Sequence, residues 1–158
     1  MNKQINNLIP IAISAIKANM ADPKDSYIVA KEAKGDVSSF AAGLVQSGLF
    51  PTLTFFSETS KNDKKDGNTN KRRHKMLAAL LCILQEGGTL KDELKKITPA
   101  KNDLLHYALE YCTDKKTNTI SLLHETALMR DLNNAIIALK MALRIFSDTT
   151  KTDDNDNK

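Results

Sequence analysis

The longest regular pattern in the chain lies toward its C-terminal end, and it has helical spacing. Between 120 and 146, apolar residues recur as Ile120, Leu122, Leu123, Ala127, Leu128, Leu132, Ile136, Leu139, Leu143 and Phe146. Steps of three and four place them along one stripe of a 3.6-residue helix, where a strand would need alternation. Ile5, Leu8, Ile9, Ala12, Ile13, Ile16 and Met20 repeat the pattern near the start, and Leu77, Leu80, Leu81, Ile83 and Leu84 repeat it in the middle. No alternating strand pattern occurs. The sequence therefore predicts an all-α chain, a compact bundle of about six helices. The 158 residues suit one domain, and with 5% aromatics and no tryptophan the core has to come from Leu, Ile, Ala and Met.

Turn and cap residues divide the stripes. Asp22 before Pro23 ends the first helix, because the residue preceding proline is pushed out of the helical region. Asp25 or Ser26 can cap a second helix carrying Tyr27, Ile28, Ala30, Phe40, Ala41, Leu44 and Val45 inward, with Gly35 as a kink or split. Gly48 closes it as a left-handed C′ residue. A third helix follows at once, with Pro51 in its first turn and Leu49, Leu53, Phe55 and Phe56 as apolar contacts. Residues 57–70 hold no large apolar side chain and read as a long, flexible, basic loop. Asn70 then caps a fourth helix that stops at Gly87 and Gly88. Thr89, with Asp92 and Glu93 close behind, opens a short helix ending before Pro99. A helix over 103–111 precedes the last one, which Asn118 or Thr119 can cap. From Asp148 onward nothing is left to bury. The expected organisation is one helical domain over 1–147 and a disordered acidic tail over 148–158.

Several function classes lack their residues. Cys82 and Cys112 are isolated, form no C-x-x-C pair and read as two buried thiols of a reducing compartment. The apolar run around Ile9 is short and interrupted at helical spacing by Ser14, Lys17 and Asn19, unlike a secretory signal. No stretch is long enough to cross a membrane. A cytoplasmic location follows as the expectation. His74, His106 and His124 are too scattered for a short metal motif. Asp103 and His106 share a helix face but lack the second half of a carboxylate-bundle site, so they read as a surface pair. Helical ribonucleases place an arginine four to six residues before a histidine, and here Arg72 and Arg73 directly adjoin His74. Neither a phosphate loop nor a nucleophile elbow occurs. No catalytic residue, metal, cofactor or small-molecule substrate is expected.

The charge is more informative. A formal net charge of +4 is mild, but Lys61, Lys64, Lys65, Lys71, Arg72, Arg73 and Lys75 lie close together, opposed only by Asp63 and Asp66. Lys71, Arg72, Arg73 and Lys75 would open the fourth helix, where the macrodipole is already positive and further cations are unfavourable. A sequence that accepts this cost often has an anion to meet, and helix amides with arginines suit phosphate. The plain alternative is a lysine-rich loop that keeps the protein soluble. Lys17, Lys31, Lys34, Arg130, Lys140 and Arg144 add cations on other helices. The phenylalanines fall mostly on apolar stripes, so any nucleic-acid contact should be to the backbone and insensitive to sequence.

Residues 39–56, SFAAGLVQSGLFPTLTFF, resemble the signature of the small subunit of type III-B CRISPR effector complexes, the Cmr small subunit. In that family a helix entered from a Tyr-containing segment ends in a Gly-Leu corner, and the next helix carries Leu-x-Phe. Tyr27, Gly48 with Leu49, and Leu53, Thr54 and Phe55 stand in those places. Ala142, Leu143 and Arg144 are similar to the family's closing Trp-Leu-Lys-Arg segment, with Met141 where tryptophan is usual. The resemblance covers residues 25–59 and 119–147, and the basic loop and acidic tail have no counterpart in it. It implies a non-catalytic subunit that packs against copies of itself and other effector subunits along a ribonucleoprotein filament. It also implies contact with the guide RNA/target RNA backbone, for which Arg144 is the carried-over candidate and Lys140, one turn earlier, the next. Lys71, Arg72, Arg73 and Lys75 are added from charge alone. The competing expectation is a helical protein–protein adaptor with no nucleic-acid contact.

Overall fold

Asn2 starts the first helix: its side chain accepts the Gln4 amide at 3.0 Å and satisfies one of the free N-terminal donors. In the computed structural model, which describes residues 2–58 and 67–148, helix α1 (Lys3–Asn19) buries Ile5, Leu8, Ala12, Ala15 and Ile16. Pro10 lies within α1 on its exposed side. The expected second helix does not begin at Asp25 or Ser26. Asp22 and Asp25 instead accept the amides of Lys24 and Tyr27, at 2.8 and 2.9 Å, and hold the chain in turns. The strand β1 (Ile28–Val29) follows, with Val29 buried, and Tyr27 is 51% exposed rather than inward.

Helix α2 (Ala33–Ser47) starts late and runs through Gly35 unbroken. Its buried stripe is Ala33, Asp36, Val37, Phe40 and Leu44. Val45, expected inside, is 86% exposed, because it stands about 100° around the helix from Leu44. Gly48 has φ 89° and ψ 179°, so it joins α2 directly to α3 (Leu49–Ser57) in a conformation that is essentially glycine-only. The two helices then cross closely: a Cβ on Gly43 would stand 2.9 Å from the Thr52 Cγ2. Helix α3 buries Leu49, Thr52, Leu53 and Phe56, with Phe56 edge-on to Phe40 at 5.2 Å, while Phe55 is half-exposed.

Helix α4 (Gly67–Gly87) begins before Asn70, which lies inside it rather than capping it. Met76, Leu77, Ala79, Leu80, Leu81, Ile83 and Leu84 are buried along it. The short α5 (Lys91–Lys95) and α6 (Leu104–Cys112) follow, with Asp103 capping α6 by accepting the His106 amide at 2.8 Å. Two further strands, β2 (Thr113–Asp114) and β3 (Thr119–Ile120), pair antiparallel around a turn in which Asn118 has φ 55°. Ser121, rather than Asn118 or Thr119, caps α7 (Leu122–Leu143). Strand β4 (Ser147–Asp148) then pairs parallel with β1, Ile28 beside Ser147 and Val29 beside Asp148.

The class is mostly helical, with seven helices among the described residues and four two-residue strands as clasps. Helices α1, α4 and α7 pack together at the centre. Asp131 on α7 is 1% exposed and ties α7 to the turn after α4, accepting from the Thr89 hydroxyl and, at 2.9 Å, from the Leu90 amide. Thr89 therefore serves Asp131 and is not the α5 cap, which is Leu90. Asp148, expected as the first residue of the tail, belongs to β4. The remainder of the expected tail, and residues 59–66 of the expected loop, lie outside the described residues. No helix among the described residues is long and apolar enough to cross a membrane.

Candidate nucleic-acid interface

The cationic segment 71–75 does not open its helix. Because α4 starts at Gly67, Lys71 stands in the second turn. The macrodipole falls off within the first turn, so the penalty expected for these cations is smaller than the sequence suggested. The four side chains then take different directions.

Arg72 turns inward. Its Nε and Nη2 donate to the two carboxylate oxygens of Asp36, the second contact at 3.1 Å, in a fork that ties α4 to the first turn of α2. Both side chains are largely buried, at 21% and 10% exposed. The hydrogen bond to Asp36 holds the guanidinium above its ordinary pKa; burial pulls the other way, and the charges of Asp36 and Glu32 add to the rise. Arg73 covers aromatic rings: its guanidinium carbon lies 5.1 Å from the Phe55 centroid and 4.8 Å from that of Phe56. Its Nε is buried and has no hydrogen-bond partner among the described residues.

Lys71 and Lys75 stay in solvent. They are one turn apart on α4, both exposed, and neither has an ion-pair partner among the described residues. With Arg72 they line a cavity of about 350 Å³, whose other wall is Met20, Ala30, Glu32 and Ala33. Lys31 is exposed next to that wall. Arg73 lines a different cavity, with Phe55, Phe56 and Thr52.

Lys140 and Arg144 are exposed at the end of α7 and line neither cavity. Lys34 leans toward Asp148 at 3.9 Å, and Lys17 donates to the Tyr27 hydroxyl at 2.9 Å while lying over its ring. Tyr27 stacks in turn on Phe146 at 5.9 Å. Of the six residues singled out from the sequence, Lys71, Arg72 and Lys75 share one cavity and the other three lie elsewhere. The partners of the two arginines, Asp36 and the Phe55–Phe56 pair, carried no signal, because they are distant in sequence and meet only in the fold.

The other candidate chemistry is weak. Among the described residues no group of three or more His, Cys, Asp or Glu is arranged to hold a metal ion. Cys112 is fully buried and Cys82 half-buried, and both thiols are free. Burial, with help from Glu125, pushes the Cys112 thiol up to about 12, and burial with Glu86 raises that of Cys82. Neither is a poised thiolate. The Asp103–His106 pair is a helix cap whose imidazole Nδ1 lies 2.7 Å from the capping carboxylate. No family model, curated protein or solved structure matches this chain.

Proposed function

We propose that the chain is a non-catalytic helical subunit of a type III-B CRISPR ribonucleoprotein, acting in the cytoplasm in antiviral defence and touching RNA through the phosphate backbone. The observation that carries the RNA contact is the pair Lys71 and Lys75. They are exposed, without an ion-pair partner among the described residues and set one turn apart, while the arginine between them is fixed by Asp36. Two point charges on flexible stems suit a backbone read for charge rather than for bases. Lys140 and Arg144, exposed at the end of α7, are the candidates for a second strand contact. The raised thiol pKa values of Cys82 and Cys112 leave neither thiol poised as a nucleophile.

One observation favours the adaptor reading, in which partners are proteins only. Leu122 and Leu123 are 76% and 79% exposed at the start of α7, beside Ile120. Such a patch suits a protein contact, and a filament subunit needs one as well.

A salt series separates the two. Binding of the full chain to a single-stranded RNA is expected to be weak at low salt and to fall linearly on a log–log plot. Replacing Lys71 and Lys75 together with alanine should flatten that slope by about two phosphate contacts' worth without lowering the melting temperature, which relief of their repulsion should raise by no more than about 2 °C. Undetectable binding at low ionic strength would defeat direct RNA contact. Co-purification with a guide-RNA-loaded complex tests the assembly itself.

A further inference from the structure

A larger cavity lies apart from the lysine pair. The end of α1, the end of α3, the middle of α4 and the start of α6 line a partly open cavity of about 680 Å³, within the range of small-molecule sites. Its apolar walls are Leu77 and Leu81 from α4 and Leu104 from α6, all buried leucines. His74 and His106 are half-exposed along it, and Lys101 is exposed at its edge.

The charges around it are unevenly satisfied. Asp103, the one carboxylate in the lining, already accepts from the His106 amide and faces the His106 Nδ1. His74 Nε2 stands 3.3 Å from the Ser57 carbonyl. The Lys101 ammonium has no ion-pair partner among the described residues. Cys82 also lines the wall, and with its pKa raised by burial it offers neutral, polarisable surface rather than a nucleophile. A partly open, mainly apolar cavity, with a cation unpaired among the described residues at its edge, is complementary to a ligand with an apolar body and a single negative charge.

We infer that this cavity binds a small amphipathic monoanion, an alkyl or aryl body against the leucines with its carboxylate or sulfonate beside Lys101. The site is independent of the RNA contact, since Lys71 and Lys75 line a different cavity.

The test uses the full chain with two anionic probes, 8-anilinonaphthalene-1-sulfonate and decanoate, and decanol as the neutral control. The expected result is a saturable rise in fluorescence that decanoate reverses. Decanoate should also move the imidazole NMR signals of His74 and His106 and leave that of His124 in place, because His124 packs edge-on against Tyr111 outside the cavity. Ala78→Trp, a substitution at an exposed helix position on the cavity wall, should abolish binding. Lys101→Ala should weaken decanoate by roughly two- to fivefold, the range of an exposed charge pair, and leave decanol unchanged. Unmoved His74 and His106 signals at saturating decanoate would overturn the proposal, and so would full binding by A78W. The histidine signals of the unsubstituted chain decide the matter if A78W does not fold.

Discussion

Arg72 and Asp36 give the sharpest separation of a structural charge from a binding one. Arg72→Ala removes a fork of two charge-assisted hydrogen bonds and strands a carboxylate that is only 10% exposed. A bond to a charged group contributes about 1.5–3 kcal/mol, and breaking a fully buried pair from one side costs about 3–5 kcal/mol. This pair is not fully buried, so a loss of about 2–3 kcal/mol is expected for Arg72→Ala. Asp36→Ala should cost less, about 1–2 kcal/mol, because the orphaned guanidinium can swing out to water on its long stem. It also gives up the favourable placement of a carboxylate in the first turn of α2, worth about 0.3–1 kcal/mol. The double variant should be less destabilised than the two singles summed, with a coupling of about 1–2 kcal/mol. Urea unfolding of the four proteins measures the cycle. At this chain length each kcal/mol moves the melting temperature by about 2–4 °C, so a thermal scan resolves it as well. RNA affinity, measured where every variant is folded, should change far less for Arg72→Ala than for the Lys71 and Lys75 pair. The reasoning fails if Arg72→Ala leaves stability untouched and weakens RNA binding as strongly as the lysine substitutions.

Gly48→Ala should cost about 1–3 kcal/mol, because φ 89° with ψ 179° is closed to a side chain even though nothing stands within 4 Å of the new Cβ. Chemical denaturation measures it, and an unchanged midpoint would mean that the α2–α3 corner takes another path. Cys112 should resist a thiol reagent such as DTNB at pH 8 in the folded protein, and its titration should tie stability to alkaline pH. Its folded pKa of about 12 exceeds the ordinary 9.0, so the unfolded chain loses the proton first and stability falls as pH rises between those values. The contribution, at most about 4 kcal/mol, is fully present below pH 9. Cys112→Ala should remove that part of the alkaline slope.

The helices were legible in the sequence where a single stripe ran unbroken for several turns. The stripes of α1 and α7 bury most of the residues their spacing selects, Leu8, Ala12 and Ile16 in one and Leu128, Leu132, Ile136, Leu139 and Leu143 in the other, while Ile120, Leu122 and Leu123, expected on the last stripe, are exposed where that helix begins. Local competition hid the rest. Asp25, which reads as a helix cap, and Asp22, which reads as a helix end, bind amides two residues on and keep the chain in turns. Strand β1 is only two residues long and exists because β4, far along the chain, pairs with it. No alternation can show in so short a strand. Val45 and Phe55 read as inward-facing positions of their helices, yet each stands beside the residue that is buried, Leu44 and Phe56, and is itself exposed.

At the candidate interface the sequence supplied the cations but not their division of labour. Asp36 lies on another helix and is buried, so nothing near residue 72 announced that Arg72 would be spent on it. Arg73 is likewise held by rings from α3. The net charge of the segment therefore overstates what it can offer a ligand. What remains, Lys71 and Lys75 one turn apart, repels itself: like charges at that spacing cost a helix about 0.2–0.5 kcal/mol. No exposed acid among the described residues pairs with either. A lysine kept only for solubility would tolerate an acidic neighbour one turn away, and would be better for it. A lysine kept for phosphate would not, because the neighbour would neutralise it in place. Removing one of the two should thus leave the helix slightly better off and RNA binding worse, and it is the opposition of those two signs that marks a charge held for a partner.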